Sequence, residues 1–169
     1  MTDEAKLPRL TDTPLPPYRH RPGLTPHPTR DPAGHSYGTS ECELPDLNCN
    51  PWEQCETFLY AIDLFNASYW WECHEELEGL WNAAGHKSPV GRALQAMIQC
   101  AAAHLKVATG GNTGAEHLLA NAERHVREAA GSNLGIDLQR MLLETTTYVA
   151  HPSLGPASMF PADREPPRT

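Results

Sequence analysis

The residues best suited to chemistry lie in one short stretch, residues 74–78, which reads His-Glu-Glu-Leu-Glu. His74 and Glu78 are four residues apart, so on a helix they lie on the same side. In the H-E-x-x-H pattern of zinc enzymes, two histidines at this spacing bind the metal and the glutamate acts as the base. A glutamate replaces the second histidine here, and carboxylates are also zinc ligands. The stretch therefore permits a metal-assisted hydrolase in which His74 and Glu78 bind a divalent metal, His104 is the third ligand and Glu75 is the base.

A second interpretation is a polar ligand pocket, which we favour over the metal site. A buried polar side chain needs a hydrogen-bond partner, so His74 is expected to bond a carboxylate or an amide inside the domain. The expected ligand-binding set combines one helix edge with the polar stripe of a later, mostly apolar helix: Trp71, His74, Glu78, Trp81, Gln95 and Gln99. The ligand would be a small molecule or a peptide. A structural or assembly module without a pocket remains the third alternative.

The helix that presents these residues is predicted from Ser68 to Gly85. A serine oxygen accepts hydrogen bonds from the first free N–H groups of a helix, and glycine readily adopts the left-handed conformation that ends one. At about 100° per residue, one face of this helix is apolar, with Trp70, Cys73, Leu77, Leu80, Trp81 and Ala84. The opposite face, which includes Glu72, Glu75 and Glu76, is expected to point away from the core.

Several motifs in and after this helix occur in a characteristic order. They are Phe65-Asn66, Tyr69-Trp70, His74-Glu75, Glu78, Trp81, the run Leu94-Gln95-Ala96-Met97-Ile98-Gln99 and the run Gly111-Asn112-Thr113-Gly114-Ala115. Together they resemble the family catalogued as domain of unknown function 309, over roughly Glu53 to Val126. The resemblance implies a small all-helical domain, and it brings no assigned activity with it.

Hydrophobic periodicity predicts five helices, near residues 52–66, 69–84, 89–109, 114–130 and 136–149. Short connections between helices of this length favour a compact orthogonal or bundle-like all-α domain. The third helix is apolar nearly all round, which is typical of a central helix, so Ile98, Ala101 and Leu105 are expected to be buried.

Three further helix starts are predicted from capping signals. Asn50 precedes Pro51, Ser88 precedes Pro89, and Thr113 is followed by a glutamate three residues later. A side-chain cap followed by proline, or by the reciprocal glutamate of a capping box, is typical of a helix N-terminus.

Proline divides the chain into three parts. Ten of the 16 prolines fall in residues 1–51, and Pro89 is the one proline between 52 and 151. We therefore expect an extended arm (residues 1–50), a helical domain (51–151) and a proline-rich tail (152–169), since proline fixes φ and disfavours helix. The arm is expected to pack near His74, where His27, Arg30 and Tyr37 would add hydrogen-bond donors. The arm's irregularly spaced histidines are expected to be polar groups rather than metal ligands.

Charge and cysteine content limit the class of protein. The net charge is −8 and the sequence contains no cluster of Lys and Arg, which argues against a nucleic-acid or anionic-membrane surface. No apolar run reaches the ~18 residues of a membrane span, and the first residues lack the apolar core of a secretory signal. Five cysteines without C-x-x-C spacing favour a reducing cytoplasm. A homo-oligomer is compatible with the sequence.

Overall fold

The computed structural model describes residues 8–40 and 42–163, and within these ranges the fold is all-α, as predicted. The described residues form five α-helices: α1 (Glu56–Asn66), α2 (Trp70–Ala84), α3 (Pro89–Ala108), α4 (Asn112–Glu128) and α5 (Leu138–Ala150). Short 3-10 helices span Trp52–Gln54 and Pro152–Leu154. None of the helices in these ranges is long and apolar enough to cross a membrane.

Helix α3 lies at the centre of the domain, packed against α2, α4 and α5. Its residues Leu94, Ile98 and Ala101 are buried, which agrees with its predicted central position. Leu105 is only partly buried, so that part of the prediction is wrong. It lies in the last turn of α3, where the neighbouring His104 takes the fully enclosed position.

The predicted first helix is interrupted near its start. The 3-10 helix Trp52–Gln54 ends at Cys55, whose backbone is extended (φ −89°, ψ 97°), and α1 begins at the next residue. Asn50 does not cap a helix, since the 3-10 helix that follows Pro51 has no side-chain cap. The Asn50 Nδ2 group donates instead to the Asp46 carbonyl at 2.8 Å.

Ser68 ends α1 and does not cap α2, which corrects the prediction. Its φ is +64°, in the left-handed region. The Ser68 N–H donates to the Phe65 carbonyl at 3.0 Å, and the Tyr69 N–H donates to the Leu64 carbonyl at 2.8 Å. This pair of bonds is the Schellman arrangement, which satisfies the last carbonyls of a helix. The connection to Trp70 is therefore a tight turn, and α2 starts two residues after Ser68.

Two other helix ends match their predictions and one does not. Gly85, with φ +78°, follows the last residue of α2. Ser88 Oγ accepts from the Gly91 N–H at 2.9 Å, which confirms the cap of α3. The predicted capping box at Thr113 is wrong, because α4 already begins at Asn112, and no side-chain cap bonds its first turn.

The arm is packed along the α1–α2 hairpin. Asp63 of α1 is 3% exposed, and its carboxylate accepts from the N–H groups of Leu10 (2.7 Å) and Thr11 (2.9 Å). Thr11 Oγ1 adds a third bond to the same carboxylate at 2.7 Å. Farther along the arm, Asn48 Nδ2 donates to the Ala84 carbonyl at 2.7 Å. The arm therefore follows the hairpin from α1 to the end of α2.

The described part of the tail is also bonded to the core. Asn66 Nδ2 donates to the Met159 carbonyl at 2.7 Å, and Asn66 Oδ1 accepts from the Met159 N–H at 2.8 Å. The Ala157 N–H donates to Nε2 of His104 at 3.2 Å. Asn66, one of the motif residues of the family resemblance, thus holds the tail against the helices.

Candidate functional site

The outward face of α2 and the second half of the arm enclose an open groove with a volume of about 1260 Å³. This volume exceeds the ~300–1,000 Å³ typical of small-molecule sites, so the groove could hold an extended ligand. Its described lining comes from the arm, the start of α1 and the outer face of α2: Thr29, Ser40, Cys42, Glu43, Leu44, Pro45, Asp46, Asn50, Thr57, Glu75, Glu76, Glu78, Gly79, Asn82 and Ala83.

The groove, called the acidic groove below, is lined by carboxylates from two elements. Glu75, Glu76 and Glu78 come from α2, and Glu43 and Asp46 come from the arm. Its described lining contains no Lys or Arg. A cleft lined by one sign of charge concentrates ions of the opposite sign, so this groove attracts cations.

Glu76 is a partly buried carboxylate in the wall of the acidic groove. Burial raises the pKa of Glu76, and the neighbouring negative charge of Glu75 raises it further. Both effects disfavour the ionised form. A bound cation would act against both, because it would stabilise the negative charges on the two carboxylates.

His74 lies at the edge of the helix with one carboxylate bonded to it. Its Nδ1 is 3.2 Å from Glu75 Oε1 and 4.0 Å from Glu78 Oε2. The predicted bond to a carboxylate is therefore present, but it lies at the surface and not inside the domain, since the His74 side chain is 31% exposed. The bond involves the adjacent residue on the same helix, so it does not fix the packing between helices.

The predicted polar contact between α2 and α3 does not form. In the described part of the chain, no hydrogen bond joins Gln95 or Gln99 to His74 or Glu78, and the Oε1 atoms of both glutamines are buried without a partner. Trp81 Nε1 is buried without a partner as well, and the Trp81 ring stacks on His86 with centroids 3.7 Å apart.

Trp71 contacts the arm and is not among the described residues of the acidic groove. His20 and His27 meet the Trp71 ring edge-on, with centroids 4.9 and 5.3 Å away. Of the six predicted ligand-binding side chains, Glu78 lines the groove and His74 adjoins it, whereas the two tryptophans and the two glutamines lie elsewhere on α2 and α3.

His104 is committed to the core and is not brought together with His74 and Glu78. Its Nδ1 donates to the Cys100 carbonyl at 2.8 Å and its Nε2 accepts the Ala157 N–H. Burial lowers the pKa of His104 to about 4, although the Cys100 carbonyl acts in the opposite direction. Its ring also stacks on Tyr148, with centroids 4.7 Å apart. Both ring nitrogens are therefore occupied in the neutral form.

The ligand atoms that do come together belong to His74, Glu75 and Glu78. One atom from each residue lies within 4.8 Å of the other two. Two ligands bound to a tetrahedral zinc at ~2.1 Å are about 3.4 Å apart, so small side-chain rotations would bring these three atoms to one ion. In this arrangement Glu75 would be a ligand, and not the base expected from the sequence.

Glu72 is the most important residue at this surface that the sequence did not single out. It was expected to point away from the core with the other glutamates, yet it is 5% exposed because the arm covers it. Its Oε1 accepts from the His20 backbone N–H at 2.7 Å and lies 3.1 Å from His35 Nε2. Burial, and secondarily the charge of His27, lower the pKa of His20, while Glu72 acts in the opposite direction.

Asp63 was also not identified from the sequence, because its hydrogen-bond partners lie in the distant arm. The one sequence signal was a carboxylate within an apolar run, between Ala61-Ile62 and Leu64-Phe65. A charge in such a position requires a partner from elsewhere in the chain. The arm supplies it.

Replacing Glu72 with alanine should loosen the arm without unfolding the helices. The buried His20 N–H would lose its acceptor, and an unsatisfied buried donor costs roughly 1–3 kcal/mol. We expect trypsin to cleave after Arg19 faster than in the wild type, while the helical circular dichroism signal is retained. Glu75→Ala, an exposed change one turn away, is the matched control; equal cleavage rates in the two variants would contradict this role of Glu72.

A family model described as a domain of unknown function (DUF309) matches residues 58–118. The matched segment covers most of α1, all of α2 and α3 and the first part of α4. It includes His74, Glu75 and Glu78 and confirms the resemblance seen in the motifs. The arm residues that form the other wall of the acidic groove lie outside the match. No curated protein matches the chain.

Proposed function

We propose that this chain is a binding domain whose acidic groove holds a cationic ligand. The observation that supports this most directly is the composition of the groove: five carboxylates from two separate elements and, in its described lining, no Lys or Arg. Carboxylates that repel one another are stabilised together when a cation enters.

The shape and the neutral lining point to an extended, amine-bearing ligand such as a basic peptide segment. Ser40, Thr57, Asn50 and Asn82 add uncharged hydrogen-bonding groups along the same walls. Complementary charge would speed association and select against acidic partners. Hydroxyl and amide groups would orient the ligand backbone. The groove thus favours a binding function over an assembly module without a pocket.

His74 acts as a positioning residue in this proposal. Its contacts with Glu75 and Glu78 hold two carboxylates close together at the rim of the groove.

The proposal is tested by calorimetric titration of the full chain with tetralysine. Glu75→Gln combined with Glu78→Gln removes two charges and keeps the side-chain shapes, so we expect affinity to fall by about two- to thirtyfold, given ~0.2–1 kcal/mol for each exposed ion pair. Binding by the wild type should also weaken as salt is added.

The matched control for that titration removes the same charge from a distant surface. Glu116→Gln combined with Glu123→Gln changes two exposed residues of α4. It should leave tetralysine affinity nearly unchanged. Equal losses in the two double variants would contradict a specific site in the groove.

A divalent-metal site is the second candidate, favoured by the proximity of His74, Glu75 and Glu78. It would support metal-assisted hydrolysis only with a base other than Glu75. Titration of tag-free protein with zinc chloride tests it: one site is expected in the wild type, and His74→Ala should abolish it. Unchanged zinc binding in His74→Ala would exclude these ligands.

The thiols support the reducing, cytoplasmic location proposed from the sequence. Cys42 and Cys49 are exposed and free, and Cys55, Cys73 and Cys100 are buried and free. Burial raises the pKa of Cys100 to about 12, so this thiol is unreactive.

A further inference from the structure

The outer face of the α1–α2 hairpin binds residues 9–16 of the arm largely through the arm's backbone. Asp63 accepts two consecutive N–H groups, as described above. Next along the chain, the Tyr60 hydroxyl donates to the Pro14 carbonyl at 2.8 Å and the Tyr69 hydroxyl donates to the Pro16 carbonyl at 3.0 Å. Carbonyls two residues apart in an extended chain point to the same side. The face therefore recognises an extended, proline-containing strand.

Side-chain contacts make this recognition specific for the chain's own sequence. Arg9 Nη2 lies 3.4 Å from Asp63 Oδ2, and Thr13 Oγ1 donates to Glu56 Oε1 at 2.7 Å. Thr11 contributes its hydroxyl as well as its N–H to Asp63. A strand with Arg, Thr and Thr at alternate positions followed by prolines fits this face, and every copy of this chain carries one.

The following part of the arm is held separately. The Tyr18 hydroxyl donates to the Pro26 carbonyl at 3.0 Å and accepts from the His35 N–H at 3.2 Å. Glu72 binds both His20 and His35. Between the two bound parts, Pro17 is exposed. Residues 9–16 could thus leave the face while residues 18–36 stay in place.

We propose that this face also binds residues 9–16 of a second copy, so that two copies exchange the first part of their arms. In the closed form, residues 9–16 bind the face of their own chain; in the exchanged form, they bind the face of the other copy. The contacts are the same in the two forms, which is the energetic basis of domain swapping. Prolines already restrict the free strand, so ordering it on a second molecule costs less conformational entropy than ordering a flexible strand. Within one chain the effective concentration of the strand is of the order of millimolar, which favours the closed form in dilute solution.

Complementation between two full-length variants tests the exchange. Thr11→Pro removes an N–H and a hydroxyl from the strand and leaves the receiving face intact and vacant. Asp63→Asn disables the face and leaves the strand intact and free. Sedimentation velocity at high protein concentration should show each variant alone as a monomer and the mixture as a complex of one copy of each.

Two controls separate exchange from misfolding. Thr11→Ser keeps both groups of the strand, so this chain stays closed and its mixture with Asp63→Asn should remain monomeric. If Asp63→Asn does not fold, the pair Tyr60→Phe and Tyr69→Phe disables the face more gently and takes its place.

A mixture of folded Thr11→Pro and face-disabled chains that stays monomeric would overturn the proposal. A synthetic peptide of residues 8–17 then shows what the face does bind. Peptide binding by Thr11→Pro without a mixed complex would mean that the face accepts a proline-rich strand of a different protein, and that exchange between copies does not occur.

Discussion

Acidification from pH 6.5 to pH 4 is expected to lower the free energy of unfolding by about 3 kcal/mol through His104 alone. The pKa of His104 is about 4 in the folded chain against 6.5 for a free histidine, because its ring is buried. Between these values the unfolded chain binds a proton that the folded chain does not, so stability falls as the pH falls. Protonation would also remove the acceptor of the Ala157 N–H and so weaken the attachment of the tail.

Urea denaturation across this pH range measures the effect as a difference between two proteins. His104→Gln retains polar groups but cannot take up the proton, so its stability should fall less between pH 6.5 and pH 4 than that of the wild type. The carboxylates contribute equally to the pH dependence of stability in both proteins, so their contribution cancels in the comparison. His117→Gln changes an exposed histidine and is the control, so its stability should fall between pH 6.5 and pH 4 by as much as that of the wild type. An equal fall in His104→Gln would contradict this account.

Leu94→Ala should destabilise the domain by ~2–5 kcal/mol, the usual cost of a cavity at a fully buried leucine. Leu94 is 0% exposed and lies in the second turn of α3. Leu105→Ala should cost less than half as much, because Leu105 is partly exposed and less of a cavity would form. Denaturant midpoints of the two variants and the wild type give both values. Equal losses would mean that α3 is not buried more deeply at Leu94 than at Leu105.

The helices could be predicted because their signals are local. The cap at Ser88 and the stop at Gly85 depend on a few neighbouring residues, and the apolar periodicity of α3 needs no partner to be recognised. Ser68 shows the limit of such signals. A serine between two helices can cap the second or close the first, and the choice here depends on a left-handed turn set by how α1 and α2 pack.

The arm contacts could not be predicted in detail because they join distant parts of the chain. The helix pattern alone predicts that Glu72 is exposed to solvent. It is buried because the arm covers it and bonds to it, for example through His35, which lies more than 30 residues earlier in the chain. His104 misled for the opposite reason. Its place on the predicted buried helix suggested a metal ligand, whereas one of its ring nitrogens accepts a hydrogen bond from Ala157 of the tail, 53 residues later.

Half of the candidate site was visible in the sequence. The spacing of His74, Glu75 and Glu78 indicated one cluster, and the three residues do lie together. The opposite wall, with Glu43 and Asp46, comes from an extended segment without periodicity, which gives no sequence signal for where it packs. The groove exists only where the two walls meet.

The most direct test of the account is to map where a cation binds on the intact protein. Backbone amide NMR shifts should be recorded as tetralysine is added to the full chain. The account predicts saturable shifts that concentrate at residues 42–46 and 75–83, the two walls of the acidic groove, and that fade when Glu75→Gln and Glu78→Gln are combined. Saturable shifts centred on another surface, or no saturable shifts in these two segments, would contradict it.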